Sequence, residues 1–360
     1  MVDPFALLIV VVVLAVAFDY INGFHDTANA IATVVSTNVL TPRSAVLMAG
    51  AFNFLGAFLG TGVAKTIGGD IADPLMITQT VVVAALLGAI VWNLITWYFG
   101  IPSSSSHALV GGIVGAVFCH RVLDDHLGMR EAMTQLLTSG GVTKVIKGLV
   151  FSPLAGLAIG FFIMIGLTWI VRHQSPNRVN RVFRRLQLVS ASAMALSHGS
   201  NDAQKAMGIV TMALVAYYGR HAAMTPGWLD LAAWQTRHEL VIPIWVIAVC
   251  ATAMAMGTAA GGWRIVKTMG SKIIKLKPIH GFAAETAGAI VIMAASQMHA
   301  PVSTTHVISS SIMGVGASKR VSAVRWGVAG NILTAWVLTL PVTVGLGAAC
   351  YVALRPLFGN

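Results

Sequence analysis

Residues 23–30 read GFHDTANA, and residues 199–206 repeat that stretch as GSNDAQKA. A second pair of segments recurs in the same order, because PSSSSH at 102–107 returns as PVSTTH at 301–306. The chain therefore consists of two related halves with polar interruptions at matching places. Internal duplication of this kind in a hydrophobic chain is typical of membrane transporters.

Composition places the chain in a membrane. Of its 360 residues, 56% are hydrophobic and 10% are charged, whereas soluble domains carry about 25% charged residues. The apolar run 5–18 has no Lys or Arg before it, so we expect a retained transmembrane helix and not a cleaved signal peptide. These features predict an all-α polytopic membrane protein.

The formal net charge of +11 is distributed unevenly along the chain. Three acid-free clusters of Lys and Arg lie at 172–185, 264–277 and 319–325, while the connections 65–78 and 218–240 mix both signs. Cytoplasmic loops carry such an excess of Lys and Arg, so the three clusters are predicted to lie inside. The same distribution argues against a nucleic-acid partner.

Loop charge and apolar runs predict two inverted repeats with broken helices and roughly 10–12 membrane segments. The segments 79–120 and 281–317 are predicted to be re-entrant hairpins with Pro-Ser/Thr tips, since non-helical backbone at membrane depth must be buried in protein. Loop charge fits equally if each hairpin arm spans the bilayer. We place the first repeat at 1–171, a basic cytoplasmic linker at 172–186 and the second repeat at 187–360, with both termini outside.

Asp26 and Asp202 occupy the same position in the two copies and are expected at membrane depth. A carboxylate there costs at least about 2.5 kcal/mol and is usually functional. The alternative is a structural aspartate that caps a helix break. Carboxylates with the amide of Asn29 suit a proton or a small hard cation, so both aspartates are assigned to cation coupling and to metal binding. Lys205 replaces Asn29 in the second copy, which predicts that the halves are not equivalent.

The Pro-Ser/Thr tips supply the opposite polarity. A short helix that begins after Pro102 or Pro301 presents free backbone N–H groups and the positive end of its dipole, which together favour an anion. Two tips that converge from opposite faces would enclose a tetrahedral oxyanion. Ordinary helix capping is the alternative. The hydroxyls expected to donate to the anion are those of Ser104, Ser105, Thr304 and Thr305.

Other polar residues give weaker signals. Glu285 has no acidic counterpart at Ala85, the equivalent position of the first half, and is interpreted as a coupling residue or as a partner for a nearby cation. His107 and His306 occupy the same place in both tips, and we expect them to donate to the helix backbone. Asp19 is expected at a cavity mouth or in a turn.

The motifs Gly-x-x-Asp-x-x-(Asn/Lys)-Ala and Pro-x-Ser-(Ser/Thr)-(Ser/Thr)-His resemble those of the inorganic phosphate transporter (PiT) family, over essentially the whole chain. The resemblance implies an inverted-repeat carrier that moves phosphate with a cation. At Gln204-Lys205 the sodium-coupled branch has a small residue followed by Asn, so this chain looks like the bacterial low-affinity branch, which is proton-coupled. The family positions carried over by the resemblance are Asp26, Asn29, Asp202, Ser104, Ser105, Thr304 and Thr305.

The expected function is import of inorganic phosphate, as a complex with a divalent metal such as Mg²⁺, in symport with protons by alternating access. A sodium-coupled symporter and a sulfate permease on the same scaffold are the alternatives. No enzyme activity and no resident cofactor are expected. The expected surroundings are the lipid bilayer of the bacterial inner membrane, with a homodimer as the assembly. Residues expected to bind phosphate are Ser104, Ser105, Thr304, Thr305, Asn29 and Lys205.

Overall fold

A computed structural model describes residues 3–71, 74 and 77–358 of the chain. These residues form helices and their connections, with no β-strand among them, so the predicted all-α class is confirmed. The α-helices are α1 (Pro4–Ser36), α2 (Pro42–Gly56), α3 (Gly62–Lys65), α4 (Gln79–Phe99), α5 (Ser105–Leu123), α6 (Met129–Thr138), α7 (Gly140–Val171), α8 (Pro176–Arg220), α9 (Leu231–Arg237), α10 (Ile244–Ala260), α11 (Trp263–Lys267), α12 (Pro278–Gln297), α13 (Thr304–Lys319) and α14 (Trp326–Phe358).

Helix order repeats along the chain. The series α1, α2, α3, α4, α5 and α7 corresponds to α8, α10, α11, α12, α13 and α14, with α6 and α9 as additions. Both α3 and α11 continue into a π-helical turn, at Thr66–Asp70 and Thr268–Lys272. The last helix of each series packs against the second hairpin arm of the other, α7 on α13 and α14 on α5. The two halves are therefore interlocked.

The connection between the halves is short. Residues 172–175 lie between α7 and α8, and residues 176–186, which the sequence placed in a linker, form the first turns of α8. The Ser175 hydroxyl accepts from the backbone N–H of Arg178, and Pro176 stands in the first turn of the helix. A capping serine followed by proline is a favourable helix start, which explains why α8 begins there.

Both predicted hairpins are present. The first consists of α4 and α5 and the second of α12 and α13, with non-helical tips at 100–104 and 298–303. Gly100 ends α4 with a left-handed conformation (φ +66°), which glycine adopts without steric cost. The side chains of Ser104 and Ser303 cap the second arms by accepting from the backbone N–H groups of His107 and His306.

Within the described part of the chain, six helices are long and apolar enough to cross a membrane, and the count reaches seven if α10 and α11, bent by 60°, form one broken span. This is fewer than the 10–12 segments expected. The difference has physical causes, because α2 and α13 have only 15 and 16 residues and α8 carries the polar motif along its length. The aspartate motifs do not break their helices, since α1 and α8 continue through them.

The first glycine of each motif allows a neighbouring helix to approach closely. A Cβ on Gly23 would lie 2.5 Å from the carbonyl oxygen of Met254 in α10. A Cβ on Gly199 would lie 2.2 Å from the carbonyl oxygen of Asn53 in α2. Both distances are too short for a real carbon, so only glycine fits. Since α2 and α10 correspond, the same contact between small residues and backbone is built twice.

Charged side chains separate onto two faces. The basic face holds the clusters at 172–185, 264–277 and 319–325, where Arg184 donates to the carbonyl of Asn38 and Arg325 to that of Ser271. The mixed-charge face is the opposite one and holds both described chain ends. Its ion pairs are Lys65–Glu239, Lys144–Asp70 and Arg355–Asp124.

Candidate functional site

Asp26 of α1 and Asp202 of α8 meet where the two long helices cross. With His198 they offer three ligand atoms that all lie within 4.8 Å of one another. All three side chains are buried. The sequence predicted the two aspartates, whereas His198 was missed although it precedes Asp202 by one helical turn.

Hydroxyls from both hairpin tips reach Asp26. Ser105 donates to Oδ2 at 3.0 Å, and Thr305 donates to Oδ1 at 3.4 Å. His25 Nδ1 lies 2.6 Å from the same Oδ1. The sequence also missed His25, whose place beside the aspartate was the available signal. Asp26 is therefore held by groups from both halves of the chain.

Asp202 is compensated by a full positive charge. The Lys205 ammonium lies 2.5 Å from Oδ1, and both side chains are fully buried. Thr304 donates to Oδ2 at 3.1 Å. Lys205 follows Asp202 by three residues, so both point from the same face of α8. A buried charge pair of this type is costly to break, because the remaining charge is left without a partner.

Asn29 links the two aspartates through the second tip. Its amide nitrogen donates to Thr304 Oγ1 at 3.1 Å and to Thr305 Oγ1 at 2.9 Å. Because those threonines donate onward to Asp202 and Asp26, one amide fixes the direction of both hydroxyl bonds. The side-chain oxygen of Asn29, Oδ1, is buried and has no hydrogen-bond partner among the described residues.

The tautomer of His198 is set by the hydrogen bond that its Nδ1 makes. Asn53 Nδ2 donates to Thr258 Oγ1 at 2.8 Å, which leaves the Asn53 Oδ1 oxygen to accept from His198 Nδ1 at 3.2 Å. A neutral ring then carries its lone pair on Nε2. That nitrogen lies 3.4 Å from Asp202 Oδ2 and makes no hydrogen bond with any described residue. Two acceptors thus face each other, an arrangement that a proton or a metal ion between them would satisfy.

The predicted hydroxyl set divides into two roles. Ser105, Thr304 and Thr305 reach the aspartates, whereas the Ser104 hydroxyl is engaged in capping α5. When the tips are aligned on their histidines, Ser104 corresponds to Ser303, which caps α13 in the same way. The capping alternative therefore describes Ser104, while anion binding by the three hydroxyls that follow the caps stays a prediction.

The tip histidines do not bond as expected. The rings of His107 and His306 lie 4.8 Å apart, and His306 stacks on Trp336 at 3.8 Å. Neither nitrogen of His306 has a partner among the described residues, so donation to the helix backbone is wrong for this residue. Aromatic packing between the tips is what the pair provides.

Glu285 lies in a separate buried cluster. It accepts from Thr33 at 2.5 Å, from Gln187 at 2.9 Å and from Ser190. These donors come from α1 and α8, and no described contact joins Glu285 to Asp26 or Asp202. Thr33 lies two helical turns beyond Asp26, so the cluster stands next to the paired aspartates along α1.

Asp19 is fully buried and not at a cavity mouth or in a turn. Neither of its carboxylate oxygens has a hydrogen-bond partner among the described residues. Asn22, one turn later in α1, and Asn93 of α4 are also buried without partners. Asn53, by contrast, bonds between helices, to Thr258 and to His198.

A cavity of about 490 Å³ lies between α3, α8 and α12. Its lining includes Lys65 and His299 and reaches Ser200 and Gln204 on α8. Gln204 accepts from the backbone N–H groups of Val63 and Ala64, which ties α8 to the start of α3. Ser200 and Gln204 each lie two residues from Asp202, and residues two apart point from different faces of a helix, so the cavity reaches α8 without opening onto Asp202.

Two hairpins whose tips meet at buried charges between duplicated halves define a membrane transporter. Sequence comparison then gives the family. Residues 22–347 match the phosphate transporter family, and the chain belongs to that family.

Similar proteins match along their whole length. A probable low-affinity inorganic phosphate transporter of Bacillus subtilis (strain 168) is 48% identical over 354 residues, covering 98% of each chain. A protein of the same description from Rhizobium meliloti (strain 1021) is 47% identical over 350 residues, covering 97% of each. A solved structure described as the sodium-dependent phosphate transporter is 24% identical with a TM-score of 0.74, covering 98% of this chain and all of that one, and confirms the fold.

Proposed function

We propose that this protein imports inorganic phosphate in symport with protons by alternating access. One observation carries the proposal: the hydroxyls that would donate to an anion are the same hydroxyls that satisfy the two aspartates. Ser105 and Thr305 donate to Asp26, and Thr304 donates to Asp202. Cation and anion binding at this site are therefore linked through shared donors.

The linkage follows from counting donors. Each hydroxyl has one proton to donate, so a carboxylate that holds it withholds it from phosphate. A proton or metal ion on the carboxylate removes its demand for a donor and its repulsion of the anion. The hydroxyls of Ser105, Thr304 and Thr305 can then donate to phosphate. The Asn29 amide still donates to the two threonines. Anion binding thus becomes favourable only after the cation has bound. Ser104 holds the tip in shape as a cap.

Phosphate suits the site better than sulfate. Hydrogen phosphate carries a P–OH group that can donate to an aspartate, whereas sulfate at neutral pH has only acceptor oxygens. Facing Asp202, the carboxylate that does not take up the coupling proton in this proposal, sulfate would meet an acceptor with an acceptor, which costs free energy in a buried site. A sulfate permease therefore remains the alternative that competition measurements must exclude.

The coupling ion follows from Lys205. Its ammonium pairs with Asp202, so a sodium ion that bound this carboxylate would have to compete with the ammonium. With one position already occupied by a tethered cation, a proton on Asp26 is the simplest mobile charge. Glu285 is proposed as a second coupling group, because it is a buried carboxylate that accepts from Thr33, two helical turns beyond Asp26 on α1. Sodium coupling is the alternative.

A divalent metal is proposed as part of the cargo. Two carboxylates and the free Nε2 of His198 offer ligands on one spot. Carboxylates suit Mg²⁺, and an added imidazole favours a transition metal such as Zn²⁺ or Fe²⁺. The metal would leave with phosphate as a neutral complex, since its charge offsets that of the anion.

Orientation follows from charge. The basic face is proposed to be cytoplasmic and the termini to lie outside a bacterial inner membrane. The cavity lined by Lys65 and Gln204 then opens to the outside. A homodimeric assembly stays a prediction.

The test is phosphate uptake into proteoliposomes of the purified protein. With an inward proton gradient and no sodium, radiolabelled phosphate should accumulate, and a protonophore should abolish accumulation. Excess sulfate should not compete. Uptake that needs sodium and ignores the protonophore would replace the proton with sodium, and efficient competition by sulfate would overturn the substrate.

A further inference from the structure

The basic face carries cations without acidic partners. No Asp or Glu occurs in the sequence between Glu131 and Asp202, between Glu239 and Glu285, or after Glu285. Among the described residues, the Lys and Arg side chains of the three basic clusters form no ion pair with a carboxylate. These cations are available to an anion from outside the chain.

Part of this face is a groove of about 1000 Å³ where four helix ends meet. These are the end of α7, the start of α8, the start of α12 and the end of α13. The lining carries Arg172, Lys277 and Lys319, all exposed, and includes no acid. It also includes the apolar side chains of Ile165 and Trp169. The groove therefore joins unpaired positive charge to an apolar surface.

We propose that this groove binds one anionic phospholipid of the leaflet at the basic face. Its phosphate lies against Arg172, Lys277 and Lys319, and an acyl chain follows Ile165 and Trp169. Basic pockets between membrane helices bind anionic headgroups through this combination of charge and apolar contact. The proposal does not depend on what the protein transports.

The apolar part of the lining, at Ile165 and Trp169, favours a lipid over a soluble anion. Trp169 and Ile170 are 64% and 66% exposed on α7, a helix that can cross the membrane. The Arg172 guanidinium lies 4.8 Å from the centre of the Trp169 ring, as expected where a helix leaves the hydrocarbon region. The groove therefore opens towards the acyl chains as well as towards water.

The repeat provides an internal comparison. The corresponding four helix ends on the mixed-charge face are those of α14, α1, α4 and α5. There Arg355 Nε lies 2.7 Å from Asp124, Asp124 also accepts from Tyr351, and Arg121 of α5 donates to Gln135. The same architecture thus pairs an arginine with a carboxylate on one face and, among the described residues, leaves three cations without an acidic partner on the other.

The test is native mass spectrometry of the purified full chain with added dioleoyl phosphatidylglycerol. The groove variant is Lys277→Gln/Lys319→Gln, and the matched control is Lys267→Gln/Lys272→Gln, which removes the same charge from the basic face outside the groove. Each cation near a membrane surface contributes about 1 kcal/mol, so the groove variant should bind its tightest lipid about thirtyfold more weakly. The control should bind it as the wild type does.

Two further arms separate the sources of the anion. Ile165→Ser/Trp169→Ser keeps every charge and should also weaken binding of the lipid. The unfolding midpoint of each variant checks that it folds. Phosphatidylcholine with the same chains should bind more weakly, and glycerol 3-phosphate should not displace the lipid. Equal loss in groove and control variants, equal binding of phosphatidylcholine, or displacement by glycerol 3-phosphate would each overturn the proposal.

Discussion

The two copies of the aspartate motif share a skeleton but differ in charge. Both begin with a glycine that admits a partner helix, and both direct an aspartate at the tip of the second hairpin. The first copy surrounds Asp26 with neutral donors and His25, whereas the second sets Lys205 against Asp202. Duplication has therefore preserved the geometry while the charge balance has diverged.

The difference fixes the charge of the site. Two carboxylates and one ammonium leave a net charge of −1 when the imidazoles are neutral. A phosphate anion added to this site would meet repulsion in a medium that screens charge poorly. Under the proposed function, at least one mobile positive charge enters with it, and the first copy, which lacks a resident cation, is where that charge would bind.

The largest effect is expected from neutralising either aspartate. Asp26→Asn and Asp202→Asn keep side-chain volume but remove the charge that couples cation to anion, so each should abolish phosphate uptake into proteoliposomes. Asp70→Asn, which breaks an exposed ion pair with Lys144, is the control and should transport normally. Near wild-type uptake in either motif variant would show that its copy is not part of the coupling site.

The next effect tests the asymmetry itself. Lys205→Asn gives the second copy the residue of the first and removes the resident cation. We expect it to lose uptake in sodium-free buffer and to regain part of it when sodium is added, because a mobile cation then replaces the ammonium. Uptake is measured across sodium concentrations at constant pH. An unchanged rate and an unchanged ion dependence would make Lys205 a bystander.

A smaller effect separates a binding hydroxyl from a capping hydroxyl. Thr304→Ala should raise the half-saturating phosphate concentration about ten- to a hundredfold, since a hydrogen bond to a charged group contributes about 1.5–3 kcal/mol. Ser104→Ala removes a helix cap and should lower stability by about 1 kcal/mol while affinity changes little. Uptake kinetics and thermal unfolding are measured on both. If Ser104→Ala weakens phosphate as strongly, its hydroxyl leaves the cap to bind substrate.

Sequence alone could predict the residues that are duplicated. Asp26, Asp202 and the tip hydroxyls occur twice in the same order, so the pattern revealed both the hairpins and their meeting point. His198 and the donors around Glu285 could not be found in this way, because the first copy has Asn22 where the second has His198. Their roles arise from contacts between helices distant in the chain, such as Asn53 fixing the ring of His198.

The smallest effect concerns the π-helical turns that follow α3 and α11, outside the site. Lys65 and Lys267 hold corresponding positions before the π-helical turns, but Lys65 lies 2.7 Å from Glu239 whereas Lys267 forms no described ion pair. The hydrogen bond and charge of Lys65 lower the pKa of Glu239 below its ordinary value. A lowered carboxyl pKa means that the pair stabilises the fold above the unfolded pKa and loses that contribution as pH falls through the folded pKa.

Lys65→Gln should therefore lower the unfolding midpoint slightly at neutral pH, with the difference vanishing in acid and in high salt. Lys267→Gln should leave the midpoint unchanged at either pH, and an equal shift in both variants would mean that helix context, not the ion pair, sets the effect.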